Sequence, residues 1–239
     1  MSGSIYDTAW VSMVSKLVEG KRIWLSPSSF NYICDAQDES GGWEGGHAID
    51  EILNTLACLL SLKIHEKVDP NEITGMADRV EKATQFVAQR LSGWDISSTE
   101  RVAFEILVPS MLDLLDAEGL RLDFPQSDKL RQLKKIKMSK INLSHLYKYP
   151  STILHSLESL IGVVDFDKLS HHLRDGGMMA SPASTAAYLM NVSNWDENAE
   201  RYLHDALENG SRIKEGAVTN VFPIGTFEFA WVPLFSFRN

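Results

Sequence analysis

The chain is expected to fold as an all-α protein, on three observations. Apolar residues recur at steps of three and four, helix-start and turn signals punctuate those stretches, and the period-two alternation of strands is scarce. Residues 50–65 carry Ile52, Leu53, Leu56, Leu59 and Leu60 on one stripe, which predicts a helix facing a core. Residues 79–90 repeat the pattern with Val80, Ala83 and Val87. Residues 101–115 read as a third helix or a pair of short ones, because Pro109 takes a donor out of the backbone ladder. A fourth helix is expected over 151–163, from Ile153, Leu154, Leu157, Leu160 and Ile161. Ser181 before Pro182 supplies an N-cap and a proline at the first helical position, opening a helix to about Val192. Asn194, with Asp196 and Glu197 in the first turn, opens a sixth that should stop near Leu207, at Asn209-Gly210. Residues 218–222 are a short β-like run. Turns are predicted at Gly41-Gly42, Asp69-Pro70-Asn71, Gly119, Gly176-Gly177 and Asn209-Gly210.

Composition narrows the function classes. A length of 239 residues suffices to bury a core without disulfide or metal staples, and 44% hydrophobic with 23% charged residues fits a soluble globular chain. No apolar run approaches the roughly 20 residues of a membrane-spanning helix. Lysine and arginine number 23 against 32 aspartates and glutamates, a net charge of −9 that disfavours a nucleic-acid partner. Cys34 and Cys58 show neither a CxxC nor zinc-ligand spacing, so they read as reduced, partly buried thiols. With no signal-like or transit-like start, the expected compartment is the cytoplasm. The basic run Lys129, Arg131, Lys134, Lys135, Lys137 and Lys140 reads as a solvated helix face, with attraction of a diphosphate as the alternative.

Several short stretches occur in a telling order: Ser4-Ile-Tyr-Asp-Thr-Ala-Trp-Val11, Phe104-Glu-Ile-Leu-Val-Pro109, Leu154-His-Ser-Leu-Glu158, Leu169-Ser-His-His-Leu173 and Ser181-Pro-Ala-Ser-Thr-Ala-Ala-Tyr-Leu189. Asn220-Val-Phe-Pro223 and Phe227-Glu-Phe-Ala-Trp-Val232 close the set. Together they resemble the N-terminal part of class II diterpene cyclases, the copalyl diphosphate and ent-kaurene synthase family. The Ser-His-His-Leu and Met-Met-Ala-Ser-Pro stretches are most similar to the fungal bifunctional members. The resemblance implies a γ domain of α-α barrel type, residues 21–215, inserted after the first helix of a β domain, residues 1–20. Residues 216–239 would be the start of the returning, truncated β domain. It further implies geranylgeranyl diphosphate as substrate, magnesium as cofactor, and protonation-initiated cyclisation to a copalyl-type diphosphate, within lyase and isomerase chemistry.

That chemistry needs a carboxylic acid kept protonated and a separate weak base. The family takes its acid from an Asp-x-Asp-Asp motif, which this sequence lacks: Asp165-Phe-Asp167 runs into Lys168, and Asp35-Ala-Gln-Asp38-Glu39 has the wrong order. The Asp-Asp-x-x-Asp metal box is missing as well. Both are expected C-terminal to Asn239, so the chain is expected to be inactive alone. On the base side, the resemblance to plant-type cyclases assigns His155 and Asn220 to a pair that holds the water removing the last proton. An imidazole can accept a proton while a carboxamide orients water. The plainer reading pairs His155 with Glu158 on a polar helix face. Gln37, the glycines and Trp43 resemble the Gln-to-Trp signature of α-α barrels, a structural role. Asp7 is given to helix and domain packing, and Trp10, Trp94, Trp195 and Trp231 to core packing before cation stabilisation. His171 and His172 are expected to diverge by about 100° on a helix and so not to share a metal. The alternative function is a non-catalytic helical module, self-associating or binding a β-domain chain or prenyl ligand through an apolar patch at Trp10, Phe227 and Trp231.

Overall fold

A helix of eight residues, α1 (Ile5–Ser12), lies at the centre of the packing. A computed structural model describes residues 3–223, and Phe227, Trp231 and the rest of the closing motif lie outside them. Around α1 pack α2 (Pro27–Asp35), α3 (Ala48–Val68) and, from near the other end of the chain, α8 (Pro182–Asn191). Helix α4 (Met76–Gly93) lies on α3, and α5 (Phe104–Ala117) contacts both α3 and α6 (Ser127–Met138). The short α7 (Leu143–Leu146) follows, and α9 (Glu197–Ser211) packs on α8. Trp10, Trp43, Tyr188, Leu56 and Leu59 are among the fully buried side chains of this mostly helical core. Among the described residues no helix is long and apolar enough to cross a membrane.

Local signals explain most starts and stops. Ser4 caps α1 by accepting from the Asp7 amide (3.2 Å), and Ser181 accepts from the Ser184 amide (3.2 Å) at the start of α8. Ser26-Pro27 repeats the Ser-Pro device at α2, a signal the periodicity reading passes over. The Gln-to-Trp segment is structural: Gln37 bonds the carbonyls of Gly41 and Arg79, while Trp43 Nε1 and Arg79 Nη1 satisfy the Ile33 and Cys34 carbonyls at the end of α2. Cys34 and Cys58 are buried free thiols.

Three expectations are corrected and one left open is decided. Of the two readings of 101–115, a single helix holds: α5 continues through Pro109, whose missing amide costs a single bond near the helix start while its ring is buried beside Val108 and Met111. Residues 151–163 do not form an α-helix. A 3-10 helix, Thr152–Leu160, breaks at Ser156 (φ −129°, ψ 42°), because the Leu157 amide donates to Ser184 Oγ (3.1 Å) instead of to its own turn. Helix α9 is capped by Asp196 rather than Asn194, and it runs through Asn209-Gly210 to Ser211. Gly210 is there for close approach: a Cβ would stand 1.9 Å from the Ala217 carbonyl oxygen. Finally, Gly176-Gly177 belongs to a hairpin, not to a reversal between helices. Strands β1 (Ser15–Val18) and β2 (Lys21–Trp24) pair antiparallel, as do β3 (Leu173–Arg174) and β4 (Gly177–Met178). Their turns, Glu19-Gly20 and Asp175-Gly176, have positive φ at both central residues, the twist that two-residue hairpins favour. Residues 218–222 form no strand.

Gly210→Ala is expected to destabilise the chain by about 1–3 kcal/mol, since a backbone carbonyl cannot move aside cheaply. Gly93→Ala, where nothing lies within 4 Å of the new methyl, should be neutral or slightly stabilising. Urea unfolding of both variants checks the contrast.

Candidate functional site

The break at Ser156 puts His155 at the mouth of a cleft of about 680 Å³. Asn220, on the segment after α9, lines the same cleft, so the two residues singled out from the sequence share one space although 65 positions apart. His155 is exposed and does not pair with Glu158. Its Nδ1 donates to the Met179 carbonyl (3.1 Å), since that oxygen can only accept. In the neutral ring this leaves the Nε2 lone pair unengaged by that bond, available to take a proton or hold a water.

Among the other residues lining the cleft are Tyr6, Asp7 and Glu158, all carried by the motifs already quoted. Glu158 is only 3% exposed, and its two oxygens accept from the Tyr6 hydroxyl (3.1 Å) and Ser184 Oγ (2.9 Å). Burial pushes its carboxyl up from 4.5 to about 7, against the pull of its hydrogen bonds and with a further push from Asp7. Asp7, 6% exposed, accepts from Ser4 Oγ (2.6 Å) and the Ala183 amide (3.1 Å), and burial pushes it up to about 6. Both acids therefore tie α1 to its neighbours, the packing role expected of Asp7. The plainer alternative, with Glu158 beside His155 on a polar helix face, does not hold, because the kinked 3-10 segment turns Glu158 inward.

Other candidates fall elsewhere. All of the basic run but Lys140 lies on α6, none of it lines this cleft, and three of its six charges are paired: Arg131 with Asp128 (2.7 Å), Lys134 with Asp113 (2.6 Å), Lys137 with Glu105 (3.0 Å). Trp10 and Trp94 are core residues, and Lys16 stands 5.4 Å over the half-buried Trp195 ring. His171 and His172 do not diverge; their rings lie 3.9 Å apart, because their single 3-10 turn gives way at once to extended Leu173. His172 Nε2 reaches the Leu146 carbonyl (2.8 Å). Trp10, at 1% exposure, cannot contribute to the apolar patch expected around it, and Phe227 and Trp231 lie outside the described residues. Among the described residues no group of three or more His, Cys, Asp or Glu side chains could hold a metal ion, so they do not fit the magnesium that the resemblance implies.

No family model matches the chain. The phyllocladan-16-alpha-ol synthase of Phomopsis amygdali is 44% identical over 240 residues, which is 97% of this chain and 24% of that protein. The copalyl diphosphate synthase of Talaromyces verruculosus is 43% identical, over 97% of this chain and 25% of its own length. Among solved structures, ent-copalyl diphosphate synthase from Arabidopsis thaliana, in complex with (S)-15-aza-14,15-dihydrogeranylgeranyl thiolodiphosphate, superposes with a TM-score of 0.77 at 29% identity. The match covers 96% of this chain and 32% of that one. The chain thus spans about a quarter of the length of the curated relatives it matches.

The two buried acids predict a pH dependence. Carboxyls raised by folding bind protons more tightly in the native state, so their contribution is fully present below about pH 4 and is lost as pH rises through about 6 and 7. Glu158→Gln should flatten the loss between pH 5 and 8, by on the order of 3 kcal/mol at the alkaline end. Urea midpoints across that range check it; an unchanged slope would contradict it.

Proposed function

We propose that this chain, which is 44% and 43% identical over 97% of its length to two fungal diterpene synthases, forms the base-bearing wall of a cleft in which geranylgeranyl diphosphate is cyclised to a copalyl-type diphosphate. The observation that carries this reading is the meeting of His155 and Asn220 in one cleft. The Arabidopsis neighbour's bound geranylgeranyl analogue supports the substrate class.

In this reading the substrate's terminal alkene is protonated by an Asp-x-Asp-Asp acid that the sequence does not contain, and the bicyclic cation is then discharged here. Nε2 of His155 and the Asn220 carboxamide hold a water: the carboxamide donates to it, and the imidazole accepts the proton it passes on. The Met179 carbonyl keeps the opposite nitrogen as donor, so the ring presents its basic edge. Among the described residues no group of three or more His, Cys, Asp or Glu side chains gathers to hold an ion, and no step here runs through magnesium.

The division into residues 1–20 and 216–239 of one domain and 21–215 of another belongs to the same proposal. It is supported by hydrogen bonds between the two outer segments: the Ser4 amide to the Val218 carbonyl (2.8 Å), and the Val218 amide to Thr8 Oγ1 (3.1 Å).

Alone, the chain should give no copalyl-type product from geranylgeranyl diphosphate and magnesium. Transplanted into the Phomopsis synthase in place of the matching segment, it should support cyclisation. His155→Ala and Asn220→Ala in that chimaera should each lower kcat by about 10²-fold or more. Mass-spectrometric product analysis decides: product from the isolated chain, or a chimaera indifferent to both substitutions, overturns the reading.

A further inference from the structure

We propose that the turn made by Met179 and Ala180 is the positioning element of this cleft, holding His155 and the Asn220-bearing segment through two successive carbonyls. It rests on the reading of His155 and Asn220 as the proton-accepting pair.

Three observations meet at this turn. The Met179 carbonyl accepts from His155 Nδ1 (3.1 Å), and the next carbonyl, of Ala180, accepts from the Phe222 amide (2.9 Å), two residues beyond Asn220. Both residues are left-handed, at φ +50° and +57°, although neither is a glycine. Such backbone is disfavoured for residues with a Cβ and persists only where the surroundings enforce it. Here they do: the Ser181 amide closes the turn on the Met178 carbonyl (3.0 Å), and the Met178 amide donates to Thr185 Oγ1 (2.9 Å) on α8.

The handedness matters to the chemistry. A right-handed turn through the same two residues would rotate the peptide planes and swing both carbonyls away from their donors. His155 would then be free to exchange its ring proton to Nε2, the edge that must stay basic, and the Asn220 segment would lose one of its ties. Tyr202, whose hydroxyl donates to the Phe222 carbonyl (2.7 Å), holds that segment independently but does not touch His155. Among the described residues, the turn bonds both the His155 ring and the segment that carries Asn220.

The test reads the ring proton directly, by ¹⁵N NMR of the imidazoles in the intact chain, with His155→Gln identifying the signal. Hydrogen exchange at the Phe222 amide is the second readout. The wild type should show neutral His155 with its proton on Nδ1 and a protected Phe222 amide. Ala180→Gly, which accepts the left-handed φ freely, should keep both. Ala180→Pro, with φ fixed near about −65°, should move the proton to Nε2 and lower Phe222 protection at least tenfold. Ala180→Val, strained at positive φ, should shift both readouts in the same direction and decides the matter should the proline variant fail to fold. A wild-type ring protonated on Nε2, or a folded proline or valine variant that keeps both signals, would overturn the proposal. The base reading fails separately: a chimaera fully active with His155→Ala leaves these signals unmoved.

Discussion

Burial of α1 on every side sets the terms for the rest of the molecule. An eight-residue helix has too few internal hydrogen bonds to be stable by itself, so it forms because Ala9, Trp10 and Val11 are enclosed by its neighbours. Enclosure then presses its polar groups to find partners inside the protein, and all of its buried side-chain polar atoms but the indole nitrogen of Trp10 do so. Tyr6 reaches Glu158, Asp7 reaches the Ala183 amide, Thr8 takes the Val218 amide, and Ser12 bonds Ser61. The Ser12 carbonyl is met by His65 Nε2 (2.9 Å), whose ring is stacked between Trp24 and Phe30. Five bonds to four different stretches of chain, two of them to α3, fix those stretches relative to one another.

The cleft is a consequence of that arrangement. The residues that anchor α1 on one side, Glu158 and the start of α8, are continuous in sequence with the residues that face open space on the other. Ser184 shows how closely the two are linked: its hydroxyl bonds Glu158 and also takes the Leu157 amide. That second bond diverts the 3-10 segment from α-helical geometry and aims His155 outward. A regular α-helix over the same residues would set residues 155 and 158 on one face, the pairing the polar-face reading assumed. Glu158 instead turns into the protein and His155 out of it.

Much of the helical framework was legible because long amphipathic stretches announce themselves by period: α3 and α4 contain the predicted segments with a few residues added at each end. The misses, and the reading left open at Pro109, share a physical cause. At Ser156, Pro109 and Gly210 the local chemistry argues for one outcome and a tertiary contact imposes another. A distant hydroxyl breaks the first segment, burial carries the second through its proline, and the close approach of Ala217 selects glycine inside a helix where sequence suggests a stop. The hairpins were missed because two and four residues per strand leave no alternation to detect. His155 and Asn220 were singled out through motifs rather than pattern, and the fold sets both on one cleft. The Met179 and Ala180 turn gave no signal, since nothing in a Met-Ala pair announces a positive φ.

Two buried acids with raised carboxyls beside a candidate base invite a different assignment, that Asp7 or Glu158 protonates the substrate. Their hydrogen bonds argue against it. An acid delivers its proton along an O–H directed at the acceptor, yet both oxygens of each group are already occupied by donors: Ser4 and Ala183 on Asp7, Tyr6 and Ser184 on Glu158. Such environments favour the carboxylate, while burial favours the acid, and carboxyls raised to about 6 and about 7 are the outcome of that opposition. The groups are built to receive hydrogen bonds that hold α1 in place. An acid and a base that both have to act on one cation must also be kept from neutralising each other, which is easiest when different parts of a fold carry them. On the function proposed above, with the candidate base on the kinked segment and the acid motif absent from the sequence, this chain would contribute to the end of the cyclisation rather than to its start.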